Sequence, residues 1–301
     1  MGKPAAGRDR NEELALRAWA TASGSGEWRR TRCPFCPFVL SKEDRRGSLS
    51  INAESGYYEC WRCHTSGWLD DADGWEATEH RVTIEAAVEI KPPDGFKRIG
   101  EEPGLSADVL DLPREYLRSR GLRPRTWRDA GIGAVLRGYY GERVVVPIFD
   151  DDDETWLGWV GRLWRKDRPG ELRYAYPKGM KRKAILFDRY LLDEDTEEPL
   201  LVVEGVMDAL PYLGRAVAVL GKPSYQHVEM LAKARRPLAI SLDGDAHFEG
   251  LMLARRLRLR GCKVGAVRLP PKKDPNTISR KRLLEAARRC IGRDRPERVE
   301  E

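Results

Sequence analysis

Residues 199–220 read PLLVVEGVMDALPYLGRAVAVL, and the order of elements begun there sets the fold class. The run 199–204 is apolar until it ends in Glu204. Residues 205–213 read as a helix and 216–220 as a second strand. The alternation continues with a helix over 225–234 and a strand over 238–242 that ends in Asp243-Gly244-Asp245. A basic helix over 248–260, a strand over 263–269 and a last helix over 278–289 follow. Short apolar strands alternating with helices indicate a mostly parallel sheet covered on both faces. In such sheets function gathers at the carboxyl ends of the strands.

Acidic residues stand at those ends. Glu204 closes the first strand, Asp243 and Asp245 close the third, and Asp274 follows the fourth within Lys272-Lys273-Asp274-Pro275-Asn276. In extended backbone, residues two apart point to the same side, so both aspartates can address one site. Gly244 lets the chain turn between them. Converging carboxylates repel unless a cation lies among them, and an all-oxygen ligand set suits Mg2+ or Mn2+. Two such ions ~3.5–4 Å apart can activate a hydroxyl and stabilise a departing phosphate. For any one of these acids alone, a turn or a helix cap is an adequate explanation, because Asp-Gly is common in turns.

Toward the N-terminus, four of the six cysteines form two pairs, Cys33-x-x-Cys36 and Cys60-x-x-Cys63, with 37–59 between them. The spacing fits a zinc ribbon, each knuckle turn offering two thiolates to one tetrahedral ion. Short strands are expected at 48–51 and 57–59 around a turn at Ser55-Gly56. Four thiolates leave no position for water, so the expected zinc is structural and supplies folding energy to a small module. A redox dithiol or four unrelated cysteines are the plainer alternatives. His64 is a substitute ligand, against the plainer reading of a surface histidine. Cys262 and Cys290 read as ordinary buried thiols.

The 301 residues suggest about two domains at ~150 residues each. Hydrophobic residues make up 41% and charged residues 34%. No run of ~18 apolar residues occurs, which argues against a membrane span, and the first twenty residues lack the pattern of an export signal. A reducing, cytoplasmic setting is therefore expected, and it argues against a disulfide framework. The first eighty residues hold 11 basic and 13 acidic side chains, the rest 43 and 35, so the excess positive charge sits outside the cysteine region. Uneven basic charge is a weak pointer to nucleic acid. The expected organisation is a zinc ribbon over 1–75, an acidic linker over 76–104 with one short element near 82–90, a subdomain over 105–198, the alternating region over 199–291 and a disordered tail over 292–301.

Val203-Glu204-Gly205-Val206-Met207-Asp208-Ala209 and Asp243-Gly244-Asp245 resemble the TOPRIM signature, and with the ribbon they resemble DnaG-type DNA primases of bacteria and phages. Further similar pieces are Tyr116-Leu117 with Arg120-Gly121-Leu122, Arg143 to Asp150 with Gly158 and Gly161-Arg162, residues 178–188 (KGMKRKAILFD), Leu220-Gly221 and Lys273-Asp274-Pro275. The likeness covers about 30–290. It implies an N-terminal zinc ribbon, an α+β primase subdomain and a TOPRIM α/β subdomain with a mostly parallel sheet, in a compact phage or mobile-element form. It implies DNA-directed synthesis of short RNA primers, with Glu204, Asp243 and Asp245 catalytic, and these three plus Asp274 holding Mg2+ or Mn2+. Single-stranded DNA, ribonucleoside triphosphates and a replicative helicase are the implied partners. The chain departs from the family where a small residue and glycine usually follow the DGD (here Ala246-His247-Phe248) and where a second aspartate is common (here Asn276).

Two basic stretches complete the picture. Residues 114–128 hold six arginines against one acid, and 162–183 hold nine basic residues against two acids, with Trp156, Trp159, Trp164, Tyr174 and Tyr176 interleaved. Cations for phosphates and aromatics for bases suit a single strand, although a solvated face over core aromatics has the same composition. The resemblance to the primase family implies that Arg143, Arg162, Lys181 and Lys183 bind nucleotide or template. Trp61 and Arg62, with Arg45 and Arg46, are the ribbon's candidates. The competing readings are a non-catalytic zinc/TOPRIM recombination mediator and a TOPRIM nuclease.

Overall fold

The structure, a computed structural model, describes residues 10–24, 28–53, 56–63, 65–69, 89–100, 107–152, 154–293 and 296–299. The chain divides into two compact units, 1–84 and 85–301. The short element expected near 82–90, and His64, lie almost wholly outside the described residues.

In the first unit, helix α1 (Arg10–Ala20) precedes an antiparallel sheet of β1 (Trp28–Thr31), β2 (Leu49–Asn52), β3 (Tyr57–Cys60) and β4 (Ser66–Trp68), in that order. Helix α2 (Cys36–Leu40) lies between β1 and β2. Ala15 and Ala18 of α1 pack with Leu49, Ile51, Tyr58 and the four paired cysteines, and Phe35 stacks on Tyr58 at 5.4 Å. So small an apolar core needs another source of stability.

The second unit holds two sheets. The first is antiparallel: β5 (Phe96–Arg98), β6 (Gly133–Val135), β7 (Arg143–Phe149), β8 (Trp156–Leu163) and β9 (Tyr174–Ala175), with α3 (Asp111–Ser119) and α4 (Pro124–Asp129) before β6. Residues 96–98 thus form an edge strand inside the span read as linker. Flanking Pro and Gly obscured it, but Phe96 packs edge-on against Trp156 at 5.2 Å. A Cβ on Gly133 would lie 2.2 Å from the Phe96 ring, so glycine is needed for that approach. Trp156 and Trp159 are buried core residues rather than stacking surfaces.

The second sheet contains β10 (Leu200–Val203), β11 (Ala216–Ala218), β12 (Leu238–Ile240), β13 (Val264–Arg268) and β14 (Glu297–Arg298), all parallel, in the order β11-β10-β12-β13-β14. Between them run α5 (Val206–Ala209), α6 (Tyr225–Leu231), α7 (His247–Leu259) and α8 (Arg280–Cys290). Alternation sorts the faces: Leu201, Val203 and Val267 join Leu283, Ala286 and Ala287, whereas Leu200, Val202, Val264 and Ala266 join Leu231, Leu253 and Leu257. The fold is the expected mixed α/β arrangement. The expected disordered tail is corrected: Val267 and Arg268 pair with Glu297 and Arg298, and Val299 is buried. The Glu297 carboxylate accepts from Arg289 at 2.8 Å and from Arg293 at 2.7 Å, which helps hold this polar strand, one that composition alone assigns to solvent.

A buried histidine ties the segment before β10 to α6. His227 is 1% exposed. The Ser224 N–H donates to His227 Nδ1 at 3.1 Å, which leaves the proton on Nε2, facing the carbonyls of Arg182 (3.0 Å) and Ile185 (3.1 Å). Ser224 Oγ accepts from the His227 N–H and donates to the Lys183 carbonyl at 3.0 Å. Three carbonyls of the basic turn are therefore held from inside while its side chains face outward. Burial is the main reason that the imidazole is pushed down to about 4. Because the folded value lies below the unfolded ~6.5, this group's stabilisation is complete above pH ~6.5 and is lost as pH falls toward 4, about 3 kcal/mol in all. Urea unfolding at pH 7 and pH 4.5 is expected to show a smaller pH difference in His227→Gln than in the wild type.

Candidate functional sites: a four-cysteine centre and an acidic sheet edge

In the first unit, Cys33 follows β1, Cys36 opens α2, Cys60 ends β3 and Cys63 lies in the turn before β4. Their sulfurs converge: Cys33 Sγ is 3.6 Å from Cys63 Sγ, Cys36 Sγ is 3.7 Å from Cys60 Sγ, and all four lie within 4.8 Å of one another. A tetrahedral ion with ~2.3 Å bonds would set its sulfurs about 3.8 Å apart, so the four thiols fit structural zinc. None is in a disulfide. The backbone N–H groups of Arg62 and Cys63 donate to Cys60 Sγ at 3.4 and 3.5 Å. Burial pushes the Cys33 thiol upward and raises Cys36 to about 12. At Cys63 burial also acts upward, but bonds to Thr65 and to the neighbouring thiols leave it below its usual value.

Sequence reasoning missed Asp44, which organises this turn. It is 4% exposed. Its carboxylate accepts from the backbone N–H groups of Cys33 (2.9 Å), Arg46 (3.0 Å) and Ser48 (2.6 Å) and from Ser48 Oγ (2.9 Å). Burial alone would raise it, but these donors outweigh burial and lower it to about 2. The available signal was an Asp four residues before a serine, across a glycine at φ 68°. Beside the knuckles, the Trp61 ring is 66% exposed while its indole N–H donates to Ser50 Oγ at 3.2 Å. The exposed Arg62 donates to the Glu43 carbonyl at 2.7 Å.

In the second unit, parallel register brings Glu204 (after β10), Asp243 and Asp245 (after β12) and Asp274 (after β13) to one edge. Two backbone bonds set the loops. The Gly221 N–H donates to the Glu204 carbonyl at 3.0 Å, and the Gly244 N–H donates to the Lys273 carbonyl at 2.8 Å. A Cβ on Gly244 would lie 2.0 Å from the Pro270 carbonyl oxygen, so this approach requires glycine. The second bond holds Asp274 beside Asp243. Tyr212, buried, donates to the Pro275 carbonyl at 3.0 Å and anchors the same loop.

The carboxyls act on one another. Burial and then the charges of Asp208, Glu204, Asp274 and Asp245 raise Asp243 to about 7. Burial, Asp245 and Glu249 raise Glu204. Asp208, in the first turn of α5, is a fifth member that sequence reasoning passed over although it lies within the quoted 203–209 motif. Burial and then Asp274 raise it to about 7. Asn276 Nδ2 donates to Asp208 Oδ1 at 2.6 Å, so the residue standing where the resemblance expects an aspartate is a neutral donor to this acid. Among the described residues, no three of these carboxylates come within 4.8 Å of one another; the four cysteines do. Asp243 Oδ1 and Asp274 Oδ1 are buried with no hydrogen-bond donor. Oxygens left so, in an all-carboxylate set, fit a hard divalent cation.

The basic candidates separate. Arg143 is 6% exposed, and its guanidinium donates to the carbonyls of Gly141 (3.0 Å) and Leu172 (2.9 Å); it braces the sheet rather than facing solvent. Arg162 is half-buried, donates from Nε to Tyr116 Oη at 3.0 Å and lies 4.6 Å over the Tyr174 ring. The Arg120 charge lowers Asp208 and the Asp208 charge raises Tyr174, so this wall adjoins the acids. Lys181 and Lys183 are exposed on the turn held by His227.

Two outcomes follow. Asp44→Asn is expected to cost about 2 kcal/mol at pH 7 and to release zinc at lower chelator concentration, read by tryptophan fluorescence of the full chain. Asn276→Leu removes the donor to a buried acid and is expected to cost ~1–3 kcal/mol, read as a lower urea midpoint.

No family model matches the chain. It is 25% identical to the DNA primase of Escherichia coli (strain K12) over 323 aligned residues, 83% of this chain and 55% of that protein. It is 23% identical to the DNA primase of Legionella pneumophila, over 81% of this chain and 53% of that one. The chain thus spans about half the length of the curated relatives it matches. A DnaG catalytic core superposes with a TM-score of 0.51 at 24% identity, over 61% of this chain and 74% of that one. A DnaG primase catalytic domain bound to single-stranded DNA gives 0.51 at 25% identity, over 61% and 73%. In sequence over most of its length and in fold, this chain is similar to DnaG-type DNA primases.

Proposed function

We propose that the chain is a DNA primase that condenses ribonucleotides on a single-stranded DNA template in a Mg2+- or Mn2+-dependent nucleotidyl transfer. The carrying observation is the convergence of Glu204, Asp208, Asp243, Asp245 and Asp274 on one sheet edge, with buried carboxylate oxygens lacking donors. The relatives' name and the strand-bound neighbour support the same reading. In the reaction a primer 3′-hydroxyl attacks the α-phosphate of the next nucleotide and pyrophosphate leaves. Divalent ions, when bound, supply charge neutralisation of the phosphates and acidify the hydroxyl. Asp243 and Asp245 are the proposed ligands, with Asp274 helping. Glu204 ligates as well or takes the hydroxyl proton, and its raised pKa suits the second role. Arg162, Lys181 and Lys183 neutralise nucleotide or template phosphates, while Arg143, turned inward, positions the sheet that carries Arg162. In the first unit, Trp61 stacks and Arg62 bonds to template. Such chemistry rests on positioning and electrostatics more than on covalent help from the protein. A replicative helicase is the proposed partner.

The purified chain is expected to make short RNA on a pool of single-stranded templates with labelled ribonucleotides, and to make none after chelation. Asp243→Asn is expected to abolish product. In metal-free buffer at pH 7.5 it should also raise the melting temperature, because it removes a charge that its neighbours oppose. A metal-loaded wild type that makes no product but binds DNA as tightly as Asp243→Asn would favour the mediator reading instead.

A further inference from the structure

Arg268 and Arg298 end the two outermost strands on one side of the parallel sheet and are Cα partners in register. Alternation sends both to the same face. Val264 and Ala266 pack into the α7-side cluster, so Arg268 follows them there. On β14, Glu297 bonds to α8, so Arg298 turns the other way. Among the described residues, neither arginine has a hydrogen-bond or ion-pair partner for its side chain. This contrasts with Arg288, Arg289 and Arg293, each held by a glutamate. Like charges side by side in register are unfavourable, and among the described residues no acidic side chain pairs with either arginine to offset this.

The location supplies a counter-charge. Both residues lie at the carboxyl edge that carries the acids. Strands are ~4.8 Å apart, so Arg268 stands about one strand and Arg298 about two strands outward from β12, which Asp243 follows. We propose that Arg268 and Arg298 form a phosphate-binding rail for a single-stranded nucleic acid that crosses this edge on leaving the acidic site. The inference rests on the nucleic-acid part of the function proposed above and adds a contact on β14. A strand, rather than a free nucleotide, fits because the rail extends away from the acids instead of converging on them.

The test is fluorescence anisotropy of a labelled oligothymidylate with the full chain over a series of salt concentrations. Each phosphate contact on a single strand contributes ~0.7 to the slope of log affinity against log salt, so Arg268→Gln/Arg298→Gln is expected to lower the slope by about 1.4. Affinity at low salt should fall on the order of tenfold. The control, Arg235→Gln/Lys263→Gln, removes the same charge from exposed residues at the amino ends of β12 and β13. It should change the slope by much less. An unchanged slope in the first double variant, or an equal drop in the control, overturns the rail. Wild-type binding that excess nucleoside triphosphate abolishes, in a variant-sensitive manner, assigns the pair to nucleotide and also overturns it. A wild type that binds no oligonucleotide removes the functional reading itself, a different failure. Because both side chains are exposed and mutually repelling, the double variant should melt no lower than the wild type.

Discussion

Mutual repulsion among buried carboxyls is the constraint on which the second unit turns. Asp208, Asp243 and Glu204 all sit above their ordinary carboxyl range, first because they are buried and then because they face one another. Such a cluster opposes folding at neutral pH unless it is protonated or neutralised by a cation. The fold maintains it with main-chain restraints. Gly244 bonded to the Lys273 carbonyl, Gly221 bonded to the Glu204 carbonyl and Tyr212 on Pro275 fix the loops that bear the acids. Because these restraints are backbone bonds and a deeply buried hydroxyl, they hold the loops without themselves neutralising the carboxylates.

The cations around the edge are organised on a different plan. Arg162 is aimed by Tyr116 and Tyr174, and Lys181 and Lys183 ride on a turn whose carbonyls are held by Ser224 and His227. Lys222, two residues before Ser224, lies near enough to lower Glu204's carboxyl against its neighbours. The basic turn and the acid edge are therefore linked through one loop. Charge is presented on the outside while the polar backbone is satisfied inside, which avoids the cost of buried unpaired carbonyls.

In the first unit the corresponding device is Asp44. One carboxylate collects donors from Cys33, Arg46 and Ser48 and so fixes the loop between the first knuckle and β2. With an apolar core this small, the fit of four sulfurs to one tetrahedral ion depends on that loop being held.

The sequence by itself determined the parts whose physics is local. Strand and helix alternation from 199 onward is legible because its apolar periodicity is short-range, and paired CxxC spacing is legible because a knuckle turn is made of adjacent residues. The ordering of Glu204, Asp243, Asp245 and Asp274 at strand ends followed from the same alternation. Only the tertiary structure decided what depends on partners distant in sequence. Arg143 reads as an exposed binding residue until Leu172 accepts its guanidinium. Asp44, Asp208 and His227 are unremarkable letters until Cys33, Asn276 and Arg182 meet them. Residues 96–98 and 297–298 look like linker and tail, because an edge strand takes its stability from the neighbour it pairs with and carries little hydrophobic pattern of its own. Long-range hydrogen bonds and burial are absent from local composition, so folding alone settles which charged side chains brace the protein and which remain free to act.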